Sequence, residues 1–162
     1  MVEKFTETEY RALAELRYRI RRFLQEGDLT AQQAGLEPQQ YLLLLAIRGL
    51  PEGEEAAIRT LAERLSLRHH STVELIDRME ARGYVKRSRG KEDRRQVLVS
   101  LQPRGEKLLE QVVVQRIIEL RSNGRALVDA ISALLESRKN ISTAGTKRRK
   151  RAAGKSQHMG RS

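Results

Sequence analysis

Between Leu61 and Gly105 two short helical patterns lie on either side of a tight turn, and a basic ribbon follows at once. Ile58, Leu61, Ala62 and Leu65 recur at i, i+3, i+4 and i+7, the spacing of one buried helical face over residues 55–65. Ser66-Leu67-Arg68 is the turn, with Leu67 directed to the core. The next helix buries Thr72 or Val73, Leu75, Ile76 and Met79, and Gly83 stops it. Ser71 and Glu74 have capping-box spacing, which would start that helix after the His69-His70 pair. Residues 84–88 and 96–101 are two β-like runs, and the polar stretch 89–95 joins them as a hairpin. Together these predict a helix-turn-helix followed by a wing.

The flanking segments are helical. Thr6 and Glu9 have capping-box spacing, and Leu13, Leu16, Ile20, Phe23 and Leu24 continue an amphipathic helix over residues 7–26, with Gly27 as its stop. Pro38 opens a second helix whose run from Tyr41 to Ile47 is apolar on every side, which predicts a central, buried position. Pro103 opens a third, lined by Leu109, Val112, Val113, Ile117 and Leu120 and broken at Asn123-Gly124. A last helix, 125–137, carries Leu127, Val128, Ile131, Leu134 and Leu135. The first and the last two helices supply apolar stripes with no obvious partner in the same chain, and a symmetric homodimer would bury them. The expected fold is mainly α with a small β-hairpin wing. One domain spans residues 1–137, its DNA-binding core about 38–101, and residues 138–162 form a basic tail with almost nothing to bury, for which disorder is expected.

Composition narrows the function. Apolar residues make up 39% of the chain and aromatics only 4%, so the core is Leu, Ile, Val and Ala, which favours helices. The absence of cysteine excludes disulfides, thiolate zinc sites and thiol switches. No apolar run reaches membrane length and the N-terminus lacks a signal-peptide core, so a cytoplasmic protein without membrane contact is expected. The net charge is +11, yet residues 138–162 hold nine Lys or Arg and no acid. The body is left with 23 basic against 21 acidic residues. It must bind a polyanion through the placement of charge rather than its excess.

A helix in the major groove offers its N-terminal outward side chains to base edges. Here these are His69, His70, Ser71, Glu74 and Arg78, with Arg68 and Thr72 beside them. Any amphipathic helix has a polar face, so the wing carries the argument. From Arg82 to Arg95 there are seven basic residues and two acidic ones on an element too thin to need them for folding. Arg87, Arg89, Lys91, Arg94 and Arg95, with Asp93, are the candidates for phosphate and minor-groove contact. The His pair lacks a third ligand, and adjacent helical side chains diverge by about 100°, so no metal is expected. No phosphate loop or catalytic triad is present, no cofactor is implied, and an enzyme is the weakest reading.

Leu61-Ala62-Glu63-Arg64-Leu65, the run from Leu75 to Val85, and above all Asp93-Arg94-Arg95 leading to Val97-Leu98-Val99-Ser100-Leu101 and Gly105 resemble the MarR family of winged-helix regulators. The resemblance implies a dimer with intertwined terminal helices that binds a pseudo-palindromic duplex, and transcriptional regulation, usually repression relieved by a small molecule. It makes Asp93 and Arg95 the wing-tip pair, the Arg entering the minor groove and the Asp holding that region by ion pairing. Effectors in such proteins are often aromatic acids or phenols lodged between the dimer helices and the winged domain. Arg17, Tyr18, Arg21 and Tyr41 are the matching candidates, with a core role for Tyr41 the competing reading. Three features depart from the family. Gln102 stands where a capping Thr is usual, His69-His70 replaces the usual Ser, Arg or Asp types, and the basic tail lies outside the family core. Two rivals stand beside this reading: a nonspecific nucleic-acid architectural protein driven by the tail, and a winged helix used only for protein contacts.

Overall fold

The computed structural model describes residues 5–90 and 94–155, with side chains through residue 136. In order the chain forms α1 (Glu7–Gln33), α2 (Pro38–Arg48), α3 (Ile58–Leu65), α4 (His69–Ala81), β1 (Val85–Arg89), β2 (Val97–Leu101) and α5 (Pro103–Lys155). It divides into two compact units, one of residues 24–119 and one of the chain up to Phe23 together with the chain from Leu120. Among the described residues no helix is long and apolar enough to cross a membrane.

The capping box at the start of α1 forms as its spacing predicts. Thr6 Oγ1 accepts the Glu9 N–H at 3.3 Å and Glu9 Oε2 accepts the Thr6 N–H at 2.7 Å. Gly27, however, does not stop the helix. α1 runs on to Gln33 and ends in a Schellman turn, with Gly35 at φ 84 and the Leu36 N–H on the Ala31 carbonyl at 2.9 Å. Gly27 instead leaves room for Arg116, whose Nε lies 3.4 Å from where a Cβ would stand. α2 begins at Pro38 as expected, capped by a box between Glu37 and Gln40. It is less enclosed than its composition suggests: Leu43 and Leu44 are fully buried, while Leu42 and Leu45 face outward.

α3 starts at Ile58, because Ala56 and Ala57 pair with β2 rather than joining the helix. Ala57 bridges Leu98, and the Val99 N–H donates to the Ala56 carbonyl at 2.9 Å. The wing is an antiparallel pair in which Val85 faces Leu101 and Arg87 faces Val99. Side chains two apart on a strand share a face, so Val85 and Arg87 lie together on the inner side. Leu36, Leu43, Leu44, Leu61, Leu75, Ile76, Met79, Val85 and Val112 are the large fully buried apolar residues of this unit. Burying each such side chain contributes about 1.5–3 kcal/mol to holding the helix-turn-helix together.

α5 joins this core through Gly105. A Cβ at that position would lie 2.2 Å from the Tyr84 carbonyl oxygen, so only glycine lets the first turn of α5 approach the base of the wing. The Gln102 N–H donates to the same carbonyl at 2.9 Å, and the Arg104 guanidinium stacks 5.3 Å from the Tyr84 ring. Gln102 gives α5 no side-chain cap; its amide turns back to the Leu101 carbonyl at 3.3 Å. Asn123-Gly124 does not break the helix, and its backbone continues to Lys155, through the first part of the segment expected to lack structure. Extending an existing helix adds a hydrogen bond per residue without the cost of nucleation, which outweighs about 1 kcal/mol for one glycine. The second unit, formed by the early turns of α1 and the later ones of α5, buries Glu9 and Ala130 but leaves Leu13, Ile20, Val128, Ile131 and Leu135 exposed.

Candidate nucleic-acid interface

The turn between α3 and α4 is set by Ser66, the one described non-glycine residue with positive φ, at 53°. The Leu67 N–H then reaches the Ala62 carbonyl at 2.9 Å and Leu67 packs against the core, as expected. This geometry releases the chain early. α4 begins at His69 with extended Arg68 as its N-cap, so the Ser71–Glu74 box does not form and Ser71 sits within the first turn. No side chain caps the N-terminus of α4.

Leu75, Ile76 and Met79 turn α4 into the core. The opposite stripe, His70, Glu74, Asp77, Arg78 and Ala81, is exposed, as are Arg68 and His69, and Ser71 is half-buried. Thr72 is a correction to the sequence reading. It is 0% exposed and its Oγ1 donates to the Arg68 carbonyl at 3.1 Å, so it braces the N-cap and cannot reach a base.

Arg87 is the second correction. Its place beside Val85 turns it inward against α4, where its guanidinium meets Asp77 Oδ1 at 2.6 Å, Glu80 Oε2 at 2.6 Å and the Val73 carbonyl at 3.2 Å. Its backbone N–H donates to Glu80 Oε1 at 2.9 Å. That N–H is the largest influence holding the Glu80 carboxyl below its usual range, with the guanidinium helping and burial opposing. Arg87 therefore ties the wing to α4 and does not offer a free cation to phosphate. Asp77 and Glu80, which complete the clamp, were not among the sequence candidates; their i, i+3 spacing on α4 is the signal for them.

The outward side of the wing carries exposed Lys86, which sequence reasoning left out of the candidate site, and Arg89 stands exposed near the tip. The Gly90 N–H closes the hairpin on the Gln96 carbonyl at 2.9 Å. Arg94 and Arg95 are exposed on the returning side, whereas Lys91 and Asp93, and with them the wing-tip pair, lie outside the described residues. The wing thus carries exposed cations on its outward side, tip and return, and Arg87 ties it to α4 by an ion-pair clamp.

Of the effector candidates, Arg17, Tyr18 and Arg21 are exposed on the early part of α1, and Arg19 stacks 5.6 Å from the Tyr18 ring. Tyr41 belongs to the core of the other unit at 8% exposure, where burial pushes its hydroxyl up and Arg116 partly offsets the shift. A groove of about 620 Å³ runs between the end of α1 and the start of α5, bordered by Thr30, Gln33, Lys107, Glu110, Gln111 and Val114. None of the four candidates lines it.

Residues 34–96, which hold α2, the helix-turn-helix and the wing as far as the start of its second strand, match the MarR family profile. The chain is 30% identical over 112 residues to the HTH-type transcriptional regulator YsmB of Bacillus subtilis, covering 69% of this chain and 75% of that protein. Its fold is similar to that of AbsC, a MarR family transcriptional regulator from Streptomyces coelicolor, with a TM-score of 0.64 at 23% identity over 91% of this chain and 99% of the other. It is also similar to BpsR of Bordetella bronchiseptica, whose DNA binding is regulated by 6-hydroxynicotinic acid, with a TM-score of 0.51 at 26% identity over 75% and 96%. With the recognition helix, the wing and the Gly105 junction all in place, this chain belongs to the MarR family of winged-helix, DNA-binding transcriptional regulators.

Proposed function

We propose that the protein is a homodimeric repressor of a pseudo-palindromic operator, acting in the cytoplasm and released by a small aromatic or phenolic acid. The observation that carries this reading is the clamp. Arg87 holds the wing against α4 so that His70, Glu74 and Arg78 face one groove while Arg89, Arg94 and Arg95 stand beside it as phosphate and minor-groove contacts. Dimerisation is supported by the exposed apolar residues of α1 and α5, including Leu13, Ile20, Leu24, Ile131 and Leu135. Two copies would set two recognition helices about 34–36 Å apart, one turn of duplex. For the effector, the likeness to BpsR supports a small aromatic acid. With Tyr41 enclosed in the core, exposed Arg17, Tyr18 and Arg21 remain its candidate contacts.

The test is a titration against the duplex upstream of the protein's own gene, with a scrambled duplex as competitor. The wild type is expected to prefer the upstream duplex, and Arg95→Ala to lose about 1–3 kcal/mol of that binding with an unchanged melting temperature. Ser71→Ala should weaken binding without loss of stability, because Ser71 caps nothing. A folded Arg95→Ala protein that binds like the wild type would overturn the wing assignment. Dissociation of the complex by an aromatic acid, and none by its uncharged analogue, would establish the effector class.

A further inference from the structure

The winged helix leaves the most basic part of the chain unused. Residues 138–162 hold nine Lys or Arg and no acid, five of them consecutive from Lys147 to Arg151, whereas the rest of the chain is close to neutral. The backbone of α5 carries this segment helically as far as Lys155. We propose that it is a second DNA-binding element, which engages the phosphates of duplex DNA without reading sequence. The inference rests on the regulator reading only in taking duplex DNA as the protein's target.

The composition selects the partner. Proteins that hold single-stranded nucleic acid stack its bases on aromatic side chains, and residues 138–162 contain no Phe, Tyr or Trp. A helix that lies in a membrane surface needs a large apolar face, and beyond alanine this segment offers only Ile141 and Met159. What remains is a dense line of point charges. Each phosphate that such a charge neutralises releases counterions and adds about 0.9 to the salt slope of binding to B-DNA. On a helix adjacent side chains diverge by about 100°, so two or three of the five can face one stretch of phosphates and contribute about 2 to 3 to that slope per chain, enough to govern affinity at low salt.

The decisive variant is full-length protein with Lys147, Arg148, Arg149, Lys150 and Arg151 each changed to Gln, which has nearly the helix propensity of Lys and Arg. A second variant, Arg148→Lys, Arg149→Lys and Arg151→Lys, preserves the charge. Both are titrated with the upstream duplex and a scrambled duplex from about 50 to 200 mM salt. The Gln variant should bind both duplexes roughly 100-fold more weakly at low salt, with a slope lower by about 2 to 3, and keep the wild-type preference between them. The Lys variant should match the wild type. An unchanged slope in the Gln variant overturns the proposal, as does a Lys variant as weak as the Gln one, or a homopolymeric RNA that displaces the scrambled duplex more strongly than duplex competitor does. Should the Gln variant lose helical circular dichroism, Arg148→Gln with Arg151→Gln gives the same reading at a slope change of about 1–2. If no form prefers the upstream duplex, the regulator reading fails, while the slope still decides the role of the segment.

Discussion

Residues 24–119 close an apolar core within the chain, whereas among the described residues of the terminal parts only Ala130 is a buried apolar side chain. In the first unit Leu61, Leu75, Ile76 and Met79 are fully enclosed by the same chain. In the second, Ile131 and Leu135 on α5 are 41% and 65% exposed, and Leu13 on α1 is 48% exposed. Helical apolar spacing is present in both, so its presence alone does not tell a finished core from half of one. The difference separates a unit whose apolar side chains close a core from terminal helices whose apolar stripes remain exposed.

The sharpest test sets the two units against each other. Leu75→Ala should cost about 2–5 kcal/mol in urea unfolding, since the residue is fully buried and leaves a cavity. Ile131→Glu touches no enclosed core, yet it should convert a dimer to monomer in sedimentation. It should also abolish the rise of the unfolding midpoint with protein concentration that a dimer shows. A wild-type protein that sediments as a monomer would break the comparison outright.

The clamp between wing and helix comes next in size. Arg87→Met should lower stability by about 1 kcal/mol, less than a buried charged hydrogen bond would cost because Asp77 and Glu80 are 58% and 37% exposed. Glu80 adds a pH signature. Its folded pKa lies below its unfolded value, so the stability it lends is fully present above that unfolded value, about 4.3, and is lost as pH falls through the folded one. Glu80→Gln should therefore flatten the acid limb of the stability profile below roughly pH 4. An identical acid limb in wild type and variant would mean that the carboxylate is not held by the wing.

Much of this arrangement was legible in the chain itself, and the exceptions have physical reasons. Pro38 and Pro103 mark helix starts because a proline's fixed φ and missing N–H act locally. Gly27 and Gly124 mislead because glycine permits a helix to end without forcing it; α1 ends where Gly35 takes a positive φ, which Gly27 does not. Thr72 and Arg87 stand among the DNA contacts when residues are counted by type. Position corrects both: Thr72 lies three and four residues before Leu75 and Ile76, and Arg87 lies two after buried Val85. The Ala57 bridge to Leu98 has no signature, since one paired residue cannot show a period.

The smallest effect separates the two units most cleanly, because it touches the DNA-reading unit alone. Ser66 holds a left-handed conformation that costs a side-chain-bearing residue roughly 1 kcal/mol and glycine almost nothing. Ser66→Gly should therefore stabilise the helix-turn-helix by about 0.5–1 kcal/mol, the gain being trimmed by the greater freedom of glycine in the unfolded chain. Ser66 lies before the N-cap of α4, so operator affinity should not change. Nor should the concentration dependence of unfolding, which reports on α1 and α5. A stabilised variant with altered dimerisation would show that the turn and the terminal helices are coupled, and that the two units do not fold as separately as their cores suggest.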